Sequence, residues 1–216
     1  SPVSNLKGIG TTREKLFRKL SIFTIKDLIN YYPRDYEDRS RLVKIEDLKD
    51  EETAAFIGIV TSRVKELHYG YKKYLTIQKI EISDDTSKAS VIWFNQPYLK
   101  NVFKVGEKYF FYGRVKRSKN TIEIQNPVYE KIAKDISEGI DHEQLKKLSK
   151  IVPVYSTTSG LTQAVIRAAV EESLKLVDGY LYDPLPVNIR EKYKLAEYSY
   201  SLNNIHFPHN NEALMI

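Results

Sequence analysis

Ala89-Ser90-Val91-Ile92-Trp93-Phe94, running into Asn95-Gln96-Pro97-Tyr98-Leu99-Lys100-Asn101-Val102-Phe103, decides how this 216-residue sequence is read. The first six residues are rich in β-branched and aromatic side chains, which suit a strand. Pro97 restricts Gln96 to extended backbone and favours a helix start after itself. A short helix is therefore expected from Pro97, with Gly106 ending it. Tyr109-Phe110-Phe111-Tyr112-Gly113-Arg114-Val115 resumes as a strand.

Strand patterns extend outward on both sides of this unit. Ala55-Phe56-Ile57-Gly58-Ile59-Val60 opens a strand expected to continue past Arg63 toward His68, with a hairpin tip at Tyr69-Gly70-Tyr71-Lys72-Lys73. From Leu75 to Ile82 apolar residues alternate except at Lys79-Ile80, which predicts a bulge there. Thr121-Ile122-Glu123-Ile124-Gln125 reads as the fifth strand, with Pro127 at its end. Five short strands with a helix between the third and fourth match the order of an OB-fold barrel, although a small sandwich would read similarly. Phe56, Phe110 and Phe111 are expected in its core.

Both flanks change period. Leu6-Lys7-Gly8-Ile9-Gly10 is a glycine-punctuated turn resembling half of a helix-hairpin-helix. Thr11 with Glu14, and Thr24 with Asp27, have capping-box spacing, and a helical face of Ile25, Leu28, Ile29 and Tyr32 precedes Pro33. Residues 34–40 read as an extended connector. A short polar helix is expected over residues 141–150, an extended piece over 151–155, and a helix over 161–177 that Gly179 closes. The expected class is α+β in three parts. Residues 1–50 are a helical segment, 51–134 the barrel, and 135–216 a helical, loop-rich segment.

The net charge of +6 is unevenly placed. Residues 54–134 hold 15 basic side chains against 7 acidic ones, so the predicted barrel carries the positive excess. A localised basic field suits a polyanion, because each neutralised phosphate releases counterions. A hydrophobic content of 42% argues against intrinsic disorder. With no Cys, a disulfide framework, a thiol nucleophile, a Cys zinc site and an iron–sulfur cluster are excluded. No apolar run approaches the roughly 20 residues of a membrane-spanning helix.

Catalytic patterns are missing too. There is no Gly-x-x-x-x-Gly-Lys-Ser/Thr loop and no Gly-x-Ser-x-Gly elbow. His68, His142, His206 and His209 do not cluster with carboxylates and read as surface residues, so no metal site is expected. No residue is assigned a catalytic role. The positive signal is aromatic residues interleaved with cations, where rings offer π faces to bases and cations follow phosphates. Lys72 and Lys73 lie among Tyr69, Tyr71 and Tyr74, and Arg114, Lys116 and Arg117 crowd the tip between the last two strands. Phe94 and Tyr98, four apart with Asn95, Gln96 and Pro97 between them, either pack under the insert or stand exposed and face a fork from two sides.

Several stretches, in this order, resemble the N-terminal wedge region of the RecG-type branched-DNA helicases. They are Leu6-Lys7-Gly8-Ile9-Gly10, Tyr32-Pro33-Arg34-Asp35-Tyr36-Glu37-Asp38-Arg39-Ser40 and Trp93-Phe94-Asn95-Gln96-Pro97-Tyr98-Leu99. Val152-Pro153-Val154-Tyr155, Gly160-Leu161-Thr162-Gln163, Asp183-Pro184-Leu185-Pro186 and Asn204-Ile205-His206-Phe207-Pro208 complete the set. The resemblance implies an OB-fold wedge binding replication forks and Holliday junctions in recombination and repair, in the cytoplasm at the bacterial nucleoid. It assigns Phe94 and Tyr98 to capping bases where parental strands part. DNA contacts are expected from them, Asn95, Gln96, Lys72, Lys73, Arg114, Lys116 and Arg117. The partners implied are branched DNA and the helicase motor of the same polypeptide, with no membrane. ATP and magnesium are expected for that motor and no cofactor for this chain, itself expected to be a piece of a longer protein. The alternatives are an OB module for single-stranded nucleic acid without junction preference, and a protein-docking module that braces the motor.

Overall fold

The computed structural model describes residues 1–69, 75–132, 150–210 and 212–214. The chain forms two compact units, Ser1–Glu37 with Ile151–Ile216, and Asp38–Lys150. The second unit thus starts upstream of residue 51, the expected start of the barrel. Val43, Ile45 and Leu48 precede that boundary, and all three pack into the barrel core.

The first unit holds α1 (Thr11–Lys19), α2 (Ile25–Ile29), β1 (Asp35–Asp38), β8 (Ile151–Val154), α3 (Gln163–Val177), α4 (Val187–Tyr193) and α5 (Tyr198–His206). β1 and β8 make a two-stranded sheet. Leu6, Ile9, Phe17, Leu28, Ile166, Val170 and Leu202 share one core, so the segments read as separate flanks fold together. Leu6 and Ile9 are buried in it, which gives the glycine-rich turn a packing role. The capping box at Thr24 and Asp27 forms in full, each side chain accepting the other's backbone N–H. The one expected at Thr11 and Glu14 does not. α1 begins one residue early, with Gly10 as its cap, and Glu14 pairs with Arg18 at 2.8 Å instead. α2 ends at Ile29, short of Tyr32, which stays exposed. The helix expected over 141–150 falls almost wholly outside the described residues.

His206 corrects the expectation of surface histidines: it is fully buried. Its Nε2–H donates to the Ile29 carbonyl at 2.7 Å, which leaves Nδ1 to accept from the Tyr155 hydroxyl at 2.8 Å. Burial pushes its pKa below the ordinary histidine value. The folded state therefore favours the neutral ring. That stability is present above about pH 6.5, the unfolded value, and is lost as pH falls through the lower folded value. Thermal melts between neutral and mildly acidic pH should show this loss, and His206→Gln should flatten it.

The second unit is a barrel built from β2 (Thr53–Val60), β3 (Lys65–Tyr69), β4 (Leu75–Ser83), β5 (Lys88–Phe94), β6 (Lys108–Arg117) and β7 (Ile122–Lys131). The order is β2-β6-β7-β5-β4-β3, and an added β2–β4 pairing closes five strands, with β3 hung on β4. β5 and β7 are parallel; the other pairs are antiparallel. Closure with a parallel third–fifth strand pair is OB-fold topology. Phe56, Trp93, Phe103, Tyr109 and Phe111 fill the interior.

Three strand readings need correction. The strand from 54 does not continue to His68. It stops at Val60, where it pairs with Ile82, and the Ser62 hydroxyl takes the Glu81 amide in place of a ladder bond. No bulge sits at Lys79-Ile80, because β4 pairs with β5 in continuous register from Ile77 to Ser83. The break in apolar alternation marks a change of side instead: Ile80 and Ile82 face inward, whereas Leu75 and Ile77 face out. β7 does not end before Pro127. The register shift lies opposite it, between Tyr112 and Arg114, where bare Gly113 makes room for the proline ring. The insert after Pro97 is a 3₁₀ turn, Pro97–Asn101, anchored by buried Leu99.

Candidate nucleic-acid interface

β5 runs down the barrel wall and delivers Trp93 and Phe94 at its end. Alternation sends Trp93 inward, stacked on Phe103 at 4.9 Å, with its indole N–H donated to the Pro127 carbonyl at 3.1 Å. Phe94 therefore points out. It stands opposite Ile77, and Ile77 opposite Leu67, so one row across three strands is apolar on the outer face. Leu67 is 44% exposed and Phe94 half-buried. Neither Leu67 nor Ile77 stood out in the sequence. The signal was present in the phase change at Lys79-Ile80.

The chain leaves the strand through a fixed corner. Asn95 has φ +55°, the left-handed region that Asn tolerates better than most residues. Its N–H donates to the Thr76 carbonyl at 2.8 Å, and its Oδ1 accepts the Thr76 N–H at 3.0 Å. The Phe94 N–H donates to Asn126 Oδ1 at 3.2 Å. The Gln96 N–H donates to Gln78 Oε1 at 2.8 Å, and Gln96 Oε1 accepts from the Tyr98 hydroxyl at 2.7 Å. Tyr98 is 57% exposed. It lies beside Tyr129, whose pKa burial and the Tyr98 oxygen push up to about 12. The two rings are thus neither entombed nor loose.

Phe94, Asn95, Gln96 and Tyr98 come together at this corner. Arg114, Lys116 and Arg117 do not join them. Lys116 and Arg117 pair with Glu123 and Ile122, at the start of β7, whereas the Phe94 amide meets Asn126 further along that strand. Glu51, itself at φ +62°, binds Arg114 and meets Lys116 Nζ at 2.6 Å. Hydrogen bonds from Lys116 and then Arg114 hold the Glu51 carboxyl below its usual range. The Arg117 guanidinium donates to the Leu48 carbonyl at 2.7 Å, and its backbone N–H to Asp50. Lys72 and Lys73 lie outside the described residues. Among the described residues, no group of three or more His, Asp or Glu could hold a metal ion, and no helix is long and apolar enough to cross a membrane.

The family model of the RecG wedge domain matches residues 2–177. The ATP-dependent DNA helicase RecG of Bacillus subtilis (strain 168) is 30% identical over 214 residues, covering 99% of this chain and 29% of the relative. The RecG of Thermotoga maritima is 33% identical over 208 residues, covering 94% and 24%. A solved structure of RecG bound to a three-way DNA junction matches with TM-score 0.77 at 30% identity, over 100% of this chain and 28% of that one. The chain thus spans less than a third of the length of these relatives.

Proposed function

We propose, from the premise that this chain belongs to the RecG wedge-domain family, that it binds branched DNA and holds strands apart at the branch point. Its setting would be the cytoplasmic nucleoid, with the motor of the same polypeptide as its partner. The observation that carries the reading is the ring pair at the end of β5: Phe94 on an apolar outer row and exposed Tyr98, tied through a hydrogen-bonded corner. A base–aromatic stack contributes about 1–3 kcal/mol, and opening one DNA step costs about 1.4 kcal/mol on average. Two rings can offset one or two open steps. They cannot unwind a long duplex, so continued strand separation falls to a motor. This reading assigns ATP and magnesium to that motor and not to this chain.

In this reading Asn95 and Gln96 set the corner and can meet base edges. Lys72 and Lys73 guide one arm. Arg114 and Lys116 reach the other only by exchanging Glu51 for a phosphate, and Arg117 keeps that loop in shape. Sequence preference is low, since phosphates and π faces carry little base information. Mobility shifts on a fork, a four-way junction, a plain duplex and a single strand test the reading. Preference for branched DNA supports it; equal grip on the single strand supports the unbranched alternative. Glu51→Gln frees two cations, and should tighten DNA binding and steepen its salt dependence. Unchanged salt dependence would take Arg114 and Lys116 out of the interface.

A further inference from the structure

Gln78 is a polar side chain at a position that β-alternation gives to the barrel core. It faces inward, opposite buried Trp93 on one side and partly exposed Glu66 on the other, and is 0% exposed. A buried amide without partners would cost about 1–3 kcal/mol, so its contacts decide what it does there. Its Oε1 accepts the Gln96 N–H at 2.8 Å. Its Nε2 donates to Glu66 Oε2 at 3.1 Å and to Thr76 Oγ1 at 3.2 Å. The amide orientation is forced, because a backbone N–H can only donate and a carboxylate only accept. Glu66 in turn pairs with Lys100 at 3.1 Å, on the same 3₁₀ turn as Tyr98. A continuous chain of polar contacts therefore runs Glu66, Gln78, Gln96, Tyr98.

We infer that Gln78 is the positioning residue of the strand-splitting corner: from inside the barrel it fixes the Gln96 backbone, and through the Gln96 side chain it fixes the Tyr98 ring. The inference rests on the fork-binding reading above and adds a residue that touches no DNA. It also accounts for a polar group where Leu or Met would pack without needing partners. Stability alone does not call for a polar network at this site, since replacing both members of a buried hydrogen-bonded pair by apolar groups is close to neutral, whereas replacing Gln78 alone strands the Gln96 N–H. A site that must hold a ring at one place and angle gains from a locked support, because an untethered ring would lose freedom on binding.

The experiment measures fork affinity and single-strand affinity, with a thermal melt, for four chains. They are wild type, Gln78→Leu, Gln78→Glu and the charge swap Gln78→Glu with Glu66→Gln. Gln78→Leu strands the Gln96 N–H, so its melt should fall by a few degrees, and it should lose fork preference about tenfold, the scale of one misplaced stack. Gln78→Glu sets two carboxylates against each other and should lose at least as much. The swap restores a donor–acceptor pair at the same place, and should recover fork preference to within about threefold of wild type. Wild-type preference in Gln78→Leu, or a swap no better than Gln78→Glu, overturns the positioning role. If Gln78→Leu fails to fold, the two charge variants decide alone. Phe94→Ala with Tyr98→Ala separates the two readings. Where that variant loses fork preference and the Gln78 variants keep it, only the positioning role fails. Where it keeps fork preference, the fork reading fails and takes the positioning role with it.

Discussion

Phe94→Ala combined with Tyr98→Ala should lower affinity for a forked substrate by roughly a hundredfold, at about 1–3 kcal/mol for each lost stack. Affinity for a plain duplex should barely change, because no cation has been touched and phosphate contacts dominate duplex binding. The melt should also hold. Tyr98 is mostly exposed, and Phe94 lies on the outer face, with Trp93 and Leu99 filling the core on either side of it. Tyr98→Phe is the informative intermediate. It keeps the ring and removes the hydroxyl that donates to Gln96 Oε1 at 2.7 Å, so it should lose only part of the fork preference. Competition between a fork and its own single strand measures both variants. A full loss in Tyr98→Phe would assign the effect to the hydroxyl rather than to stacking.

Gly113→Val should produce the largest loss of stability. A Cβ at this position would stand 2.7 Å from Pro127 Cβ and 2.9 Å from Pro127 Cα, with Ile124 Cγ2 at 3.0 Å. Two of those neighbours belong to a rigid ring and backbone, so relief requires β6 and β7 to move apart at the register shift. Overpacking of this kind costs about 1–3 kcal/mol or more. The consequence reaches the candidate site, because the Pro127 carbonyl accepts the Trp93 indole and Asn126 accepts the Phe94 amide. Denaturant titration should show a lower midpoint, and fork preference should fall with it. A variant as stable as wild type would mean that β7 yields easily there.

The barrel was legible because its signals are local. Runs of β-branched and aromatic residues, turn residues between them and Pro97 before the insert each report on a few neighbouring positions. Pro127 misled for the same reason. The glycine that accommodates it is Gly113, fourteen positions away and on another strand. The helical unit is assembled from residues more than a hundred positions apart, and nothing in the local pattern of Leu6 or Leu202 says that they share a core. His206 read as a surface residue because no cluster of carboxylates surrounds it in the sequence, whereas Ile29 and Tyr155, distant in sequence, supply its hydrogen bonds.

The candidate site was legible in its rings and less so in its supports. Phe94 and Tyr98 stand out by type and spacing. Gln78 does not, because it falls between Ile77 and Lys79 on the polar parity of the alternation that starts at Leu75. Charge was the weakest guide. Arg114 and Lys116 count toward a basic field, but the backbone turn at Glu51 brings a carboxylate onto both. Composition reports how many cations a segment has, not how many are already neutralised.

The central claim is that two aromatic rings hold branch-point bases apart. Imino-proton NMR of a fork with a labelled branch-point pair tests it most directly, because that signal disappears when the pair opens whatever the freed base then stacks on. Saturating wild-type chain should erase the resonances of the first one or two pairs and leave the rest, while Phe94→Ala with Tyr98→Ala should leave them all. Branch-point signals that persist with wild type bound, or vanish equally with the double variant, would contradict the account.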